Sequence, residues 1–134
     1  MAEEILVGEH LTPEMIKSGE MLVAALDKIN LLVQGAFWLL LPDQRIWRLM
    51  IASPEVRLVG PRAVYRKIRS ALGRLPPGVA SVGTKDISVV DEKTPLFLLM
   101  RSAISSGPGI SGIRFSRNVI NGQLIEDAYL YRVT

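Results

Sequence analysis

Cysteine is absent from the 134 residues, which excludes disulfides, thiolate metal ligands and cysteine nucleophiles together. There is one histidine, His10. A Ser-His-Asp triad would have to use it, and a zinc site would have neither a thiolate nor a second imidazole. His10 reads as a solvated or capping side chain ahead of the first helix. Aromatic residues make up only 6% of the chain, and no known stacking platform for bases is spelled out. The longest apolar runs are about nine residues, against the roughly 20 of a membrane span, so no membrane partner is expected. The first residues, Met-Ala-Glu-Glu, are acidic where a secretory signal is basic. A cytoplasmic location is the plain expectation. No cofactor and no metal are implied.

Nearly half the residues are apolar (49%) and only 22% are charged, which excludes an intrinsically disordered chain. A chain of 14.8 kDa can bury about two-thirds of its surface on folding. That supports one core and one globular domain over residues 1–134, with 1–11 as a loose or edge segment. The net charge of +3 is unevenly spread. Met1 to Gln44 carries seven acids and two bases (−5), Arg45 to Lys85 nine bases and one acid (+8), and Asp86 to Thr134 five of each (0). A basic middle third can form a cationic patch, unless the acidic N-terminal helix docks beside it and neutralises it.

Local signals set the order of elements. Ile5-Leu6-Val7 suits a short strand. Thr12-Pro13-Glu14 is a helix start, with a cap residue, a proline suited to the first turn and an acid at the positive dipole end. Met15, Leu22, Leu26 and Ile29 follow helical spacing, which predicts a helix over Pro13–Ile29 ending at Asn30. Gly19 inside it costs about 1 kcal/mol relative to alanine, which a close approach of another backbone would explain. Val33–Leu41 is apolar throughout and reads as a central strand buried on both faces. Pro42-Asp43-Gln44 turns the chain into a second strand, Arg45–Ala52. Ser53-Pro54-Glu55 starts a short helical turn, which Gly60-Pro61 interrupts.

Arg62–Leu72 is strongly amphipathic, with Val64, Ile68, Ala71 and Leu72 on one stripe and Arg62, Arg66 and Arg69 on another. Pro76–Gly83 is a connector. Asp86–Asp91 is a third strand, Thr94 caps a helix from Pro95 to about Ile104, and a Gly/Ser loop follows. Asn121-Gly122 is a type I′ turn signal. Ile120 opposite Gln123 fixes the register, which pairs Val119 with Leu124, Arg117 with Glu126, Phe115 with Ala128 and Ile113 with Leu130 on one face. Arg114 with Tyr129 and Ser116 with Asp127 fall on the other. The order α-β-β-α-β-α-β-β defines an α/β (α+β) domain with a mixed sheet of about five strands and helices packed on it.

Three constellations invite chemistry. The glycine-rich stretch Ser106–Gly112 follows a helix and precedes a strand, the reverse of a phosphate loop. Asp86, Asp91 and Lys93 resemble the carboxylate-and-lysine spelling of a metal-dependent nuclease. The middle residue, Glu92, is charged where an apolar one is usual, and a polar strand end with a helix cap explains the same letters. Arg62, Arg66, Lys67, Arg69 and Arg74 form a basic helix suited to phosphate contacts, which Arg45, Arg48 and Arg57 would extend. Trp38 and Trp47 read as core. Tyr129 and Tyr131 share a face of the last strand; if that strand is an edge, they and Arg114 suit an interface.

The leading expectation is a non-enzymatic binding or assembly module that pairs with itself as a homodimer or with a protein partner. The alternative is a nucleic-acid-binding protein using the basic helix, with the nuclease as a variant. A small-molecule pocket between the first helix and the sheet is the third reading.

Overall fold

The computed structural model describes residues 10–76 and 82–134. The strand expected at Ile5–Val7 and most of the Pro76–Gly83 connector lie outside those residues. The order is α1 (Pro13–Lys28), β1 (Gly35–Leu41), β2 (Ile46–Ala52), α2 (Glu55–Val59), α3 (Pro61–Gly73), a 3-10 turn (Thr84–Asp86), β3 (Ile87–Val90), α4 (Pro95–Ala103), β4 (Ile113–Ile120) and β5 (Gln123–Val133).

Each helix starts where the local chemistry places it. The Thr12 hydroxyl accepts the Met15 N–H at 3.1 Å, with Pro13 and Glu14 in the first turn of α1. Asn30 takes φ +63°, a conformation asparagine tolerates, and ends the helix. Gly60, at φ +92°, separates α2 from α3. At α4 the cap residue is Thr94, as its place before Pro95 predicts, but the cap works without its side chain. The Thr94 hydroxyl makes no capping bond to the helix and instead lies 3.4 Å from Asp91 Oδ1.

The five strands form one mixed sheet in the order β3-β2-β1-β5-β4. Three pairings are antiparallel, and β2–β3 is parallel. The central strand, β1, is buried over six of its seven residues, as its unbroken apolar run requires. Ala36, Trp38, Leu40, Trp47, Leu49 and Ile51 face α1 and α3. Phe37, Leu39, Met50 and Ala52 face the other way, against Phe97 and Met100 of α4. Burying each large apolar side chain contributes about 1.5–3 kcal/mol.

Two expectations about the last hairpin are corrected. The register is the expected one from Ile113↔Leu130 to Ile120↔Gln123, but Arg117 and Glu126 do not pair. Arg117 takes φ +49°, and Glu126 is held by Arg45 at 2.9 Å. The side-chain alternation reverses there. Ile120 and Ile125 turn into the core under α4, while Val119 and Leu124, expected on the apolar face, stand 66% and 59% exposed. Second, β5 is not an edge. It lies between β1 and β4, and the margins of the sheet are β3 and β4.

Gly19 also differs from expectation. The atoms nearest to it belong to side chains, not to another backbone. A Cβ there would collide with the Tyr131 hydroxyl and lie 2.9 Å from Trp38 Nε1, so the small residue makes room for two ring side chains.

Candidate functional site

The basic helix was the strongest partner-facing feature, and α3 shows how its charges are disposed. Val64, Ile68 and Ala71 are buried against the sheet. Arg62, Arg66 and Arg69 lie within about 60° of one another at 100° per residue, nearly opposite that stripe. All three are exposed, as is Arg74 just past the helix end. Among the described residues no carboxylate lies within ion-pair distance of any of the four. Among the described residues no acid of the first helix pairs with them. Glu14 and Glu20 are exposed, Asp27 is bound to Arg132 at 2.8 Å, and no described ion pair joins α1 to α3.

Lys67 leaves the set. Its Nζ lies 2.8 Å from Glu55 Oε1, and the other Glu55 oxygen accepts the Leu32 N–H at 3.0 Å. The Lys67 hydrogen bond, then the Leu32 N–H, hold the Glu55 carboxyl below its usual range. The three arginines expected to extend the patch are engaged as well. Arg45 binds Glu126, Arg57 binds Glu92 at 2.7 Å, and Arg48 donates to Ser88 Oγ and to the Lys85 and Ile87 carbonyls. Of the basic residues expected in the patch, those without a carboxylate partner among the described residues and not otherwise engaged are Arg62, Arg66, Arg69 and Arg74.

The nuclease spelling does not converge. Asp86 and Asp91 flank the four-residue strand β3 at opposite ends. Asp86 Oδ2 accepts the Gly83 N–H at 2.9 Å, and Asp91 Oδ1 accepts the Lys93 N–H at 2.7 Å. Both carboxylates close turns, and Lys93 points into solvent from its own. Among the described residues no three histidine, aspartate or glutamate side chains gather in a way that would hold a metal ion. His10 is exposed ahead of α1.

The tyrosine–arginine interface is likewise rearranged. Tyr131 is 1% exposed. Its hydroxyl accepts the Trp38 indole N–H at 3.0 Å and donates to the Ile16 carbonyl. Burial pushes its phenol well above the usual tyrosine value. Tyr129 packs edge-on against it, with ring centroids 5.5 Å apart. Arg114 is bidentate to Asp127, at 2.7 and 2.6 Å, and stands 5.5 Å from the Trp47 ring. The Arg114 hydrogen bond lowers the Asp127 pKa.

Sequence reasoning missed Arg132. The register of β5 shifts by one residue opposite Ala36 and Phe37, a bulge that swings Arg132 toward α1. It is 5% exposed and is held by both Asp27 oxygens and by the Val33 and Gly109 carbonyls. No sequence pattern announces such a bulge. A cleft of about 460 Å³ opens beside it, lined in part by Asp27, Asn30, Gln34, Pro108 and Thr134. A second groove, about 450 Å³, runs between α1 and the end of α3 past Met21, Ile29 and Leu75. These are the hollows that a small-molecule reading would use.

No protein-family model matches this chain, and neither a curated protein nor a solved structure shows significant similarity to it. No helix among the described residues is long and apolar enough to cross a membrane.

Proposed function

We propose that the protein is a nucleic-acid-binding module whose contact surface is the cationic face of α3. The observation that carries this reading is the state of Arg62, Arg66, Arg69 and Arg74: exposed, on or just past one helix, and without a carboxylate partner among the described residues. A guanidinium offers a planar fork of donors that matches a phosphate bidentately. From Arg62 to Arg74 the helix rises about 18 Å at 1.5 Å per residue. That spans about five phosphates of one strand at 3.4 Å of axial rise. The engagement of Lys67, Arg45, Arg48 and Arg57 narrows the contact to these four side chains.

The test is fluorescence anisotropy with a labelled 20-base-pair duplex over a salt series. Four phosphate contacts give a slope of log affinity against log salt near about −3.6. Replacing Arg62, Arg66 and Arg69 with alanine brings the slope toward about −0.9 and removes most retention. A salt-independent wild-type affinity, or an undiminished one in the triple variant, sinks the reading. So does equal displacement of the duplex by polyglutamate, which would assign the helix to acidic proteins.

A further inference from the structure

The β3 margin of the sheet is already occupied. The Tyr65 hydroxyl, on α3, donates to the Ile87 carbonyl at 3.2 Å and accepts the Val89 N–H at 3.4 Å. The two hollows beside α1 are open, and their charge is disposed differently. The cleft at Arg132 is matched within itself. Both Asp27 oxygens accept from the guanidinium, at 3.0 and 2.8 Å, and the Val33 and Gly109 carbonyls take two further protons from it. One acid answers one base there, so the cleft favours a ligand of neither sign.

The groove between α1 and the end of α3 is a different case. Met21, Ala24, Ala25 and Lys28 recur at three- and four-residue spacing, which sets them on one flank of α1. Two alanines in the middle of that flank leave a hollow that longer side chains would fill. The helix α3 ends at Gly73, and Leu75 and Pro76 beyond it add apolar lining. The volume is about 450 Å³, within the usual range of small-ligand sites. Among the described residues two cations, Lys28 and Arg74, line the groove and no acid does. Both are exposed, and neither has a carboxylate partner among the described residues.

Apolar walls withdraw an aliphatic chain from water, and an ammonium and a guanidinium hold an anionic head by charge-assisted hydrogen bonds. From Met21 to Lys28 the helix rises about 10 Å, comparable with the length of an extended octanoate. We infer that this groove binds a single-chain amphiphile with an anionic head, a fatty acid or its phosphate-headed counterpart. The tail lies along Met21, Ala24 and Leu75, and Lys28 and Arg74 hold the head. The inference stands without the nucleic-acid reading, and Arg74 is the one residue that the two surfaces share.

The test is calorimetric titration of the whole protein with octanoate and with octyl phosphate, each below its micelle concentration. Saturable binding of one molecule per chain is expected, and the tighter of the two identifies the head. Octanol keeps the tail, loses the charge and should bind about tenfold more weakly, since two exposed ion pairs are lost. Lys28→Gln should weaken the anionic ligand about fivefold, the upper range for one exposed pair, and leave octanol unchanged. Ala24→Leu, which a helix accepts readily, fills the groove and should abolish binding while the thermal melt stays in place. Replacing Arg62, Arg66 and Arg69 with alanine should leave binding as it is, so failure here is distinct from failure of the helix reading. Absence of binding by both anionic ligands overturns the proposal. So does equal affinity for octanol, or undiminished affinity in Lys28→Gln or in a folded Ala24→Leu.

Discussion

Around Tyr131 three residues share one small space, and each constrains the others. Trp38 lends its indole N–H to the phenol, Ile16 takes the phenol proton, and Gly19 leaves room for both rings. Gly19→Ala improves helix propensity by about 1 kcal/mol, yet it forces a methyl into the Tyr131 hydroxyl. The expected net result is a loss of about 1–3 kcal/mol in denaturant unfolding. Tyr131 also predicts an alkaline limit. Burial raises its folded pKa, so the unfolded chain ionises first. Its stabilising effect is complete below about pH 10 and declines as pH rises beyond it. Thermal melts between pH 8 and 11 should show that decline. Tyr131→Phe should flatten it while starting about 1–3 kcal/mol lower, since the Trp38 N–H and the Ile16 carbonyl lose their partner. The sequence placed Tyr129 and Tyr131 on one face correctly. That this face meets α1 rather than a partner depended on strand order, which side-chain alternation does not encode.

Among the elements, the β4–β5 hairpin was the most legible and also the most misleading. Asn121-Gly122 requires positive φ at both positions, and the structure has +50° and +81° there. The register followed from that turn alone. The reversal at Arg117 did not, because it accompanies an interaction 81 residues away in sequence, between Arg45 and Glu126. Helix α3 was readable because its two stripes repeat at 3.6 residues, but the pairing of Lys67 with Glu55 required α2 to fold back on it. The Arg114–Asp127 pair makes an acid prediction at this scale. A carboxyl held below its usual range stabilises the fold above the unfolded value near about 3.9, and that contribution is lost as pH falls through the lowered one. Asp127→Asn should therefore reduce the drop in stability between pH 4 and 2. The effect is limited to about 1 kcal/mol, because the Arg114 side chain is half in water.

In the whole molecule, the fold class was visible in the sequence because buried strands and amphipathic helices have different periods. The allocation of helices to faces was not. α1 and α3 cover one side of the sheet, and α4, nine residues long, serves the other. The +8 middle third was a correct sign of where cations concentrate, but it overstated how many are free, since Arg45, Arg48, Arg57 and Lys67 are all bound.

Tyr65 does for β3 what a further strand would do. Its phenol gives the Ile87 carbonyl a donor and the Val89 N–H an acceptor, so a strand arriving at that flank would have to displace a side chain anchored on α3. Such a margin resists pairing with another chain for as long as the helix stays on the sheet.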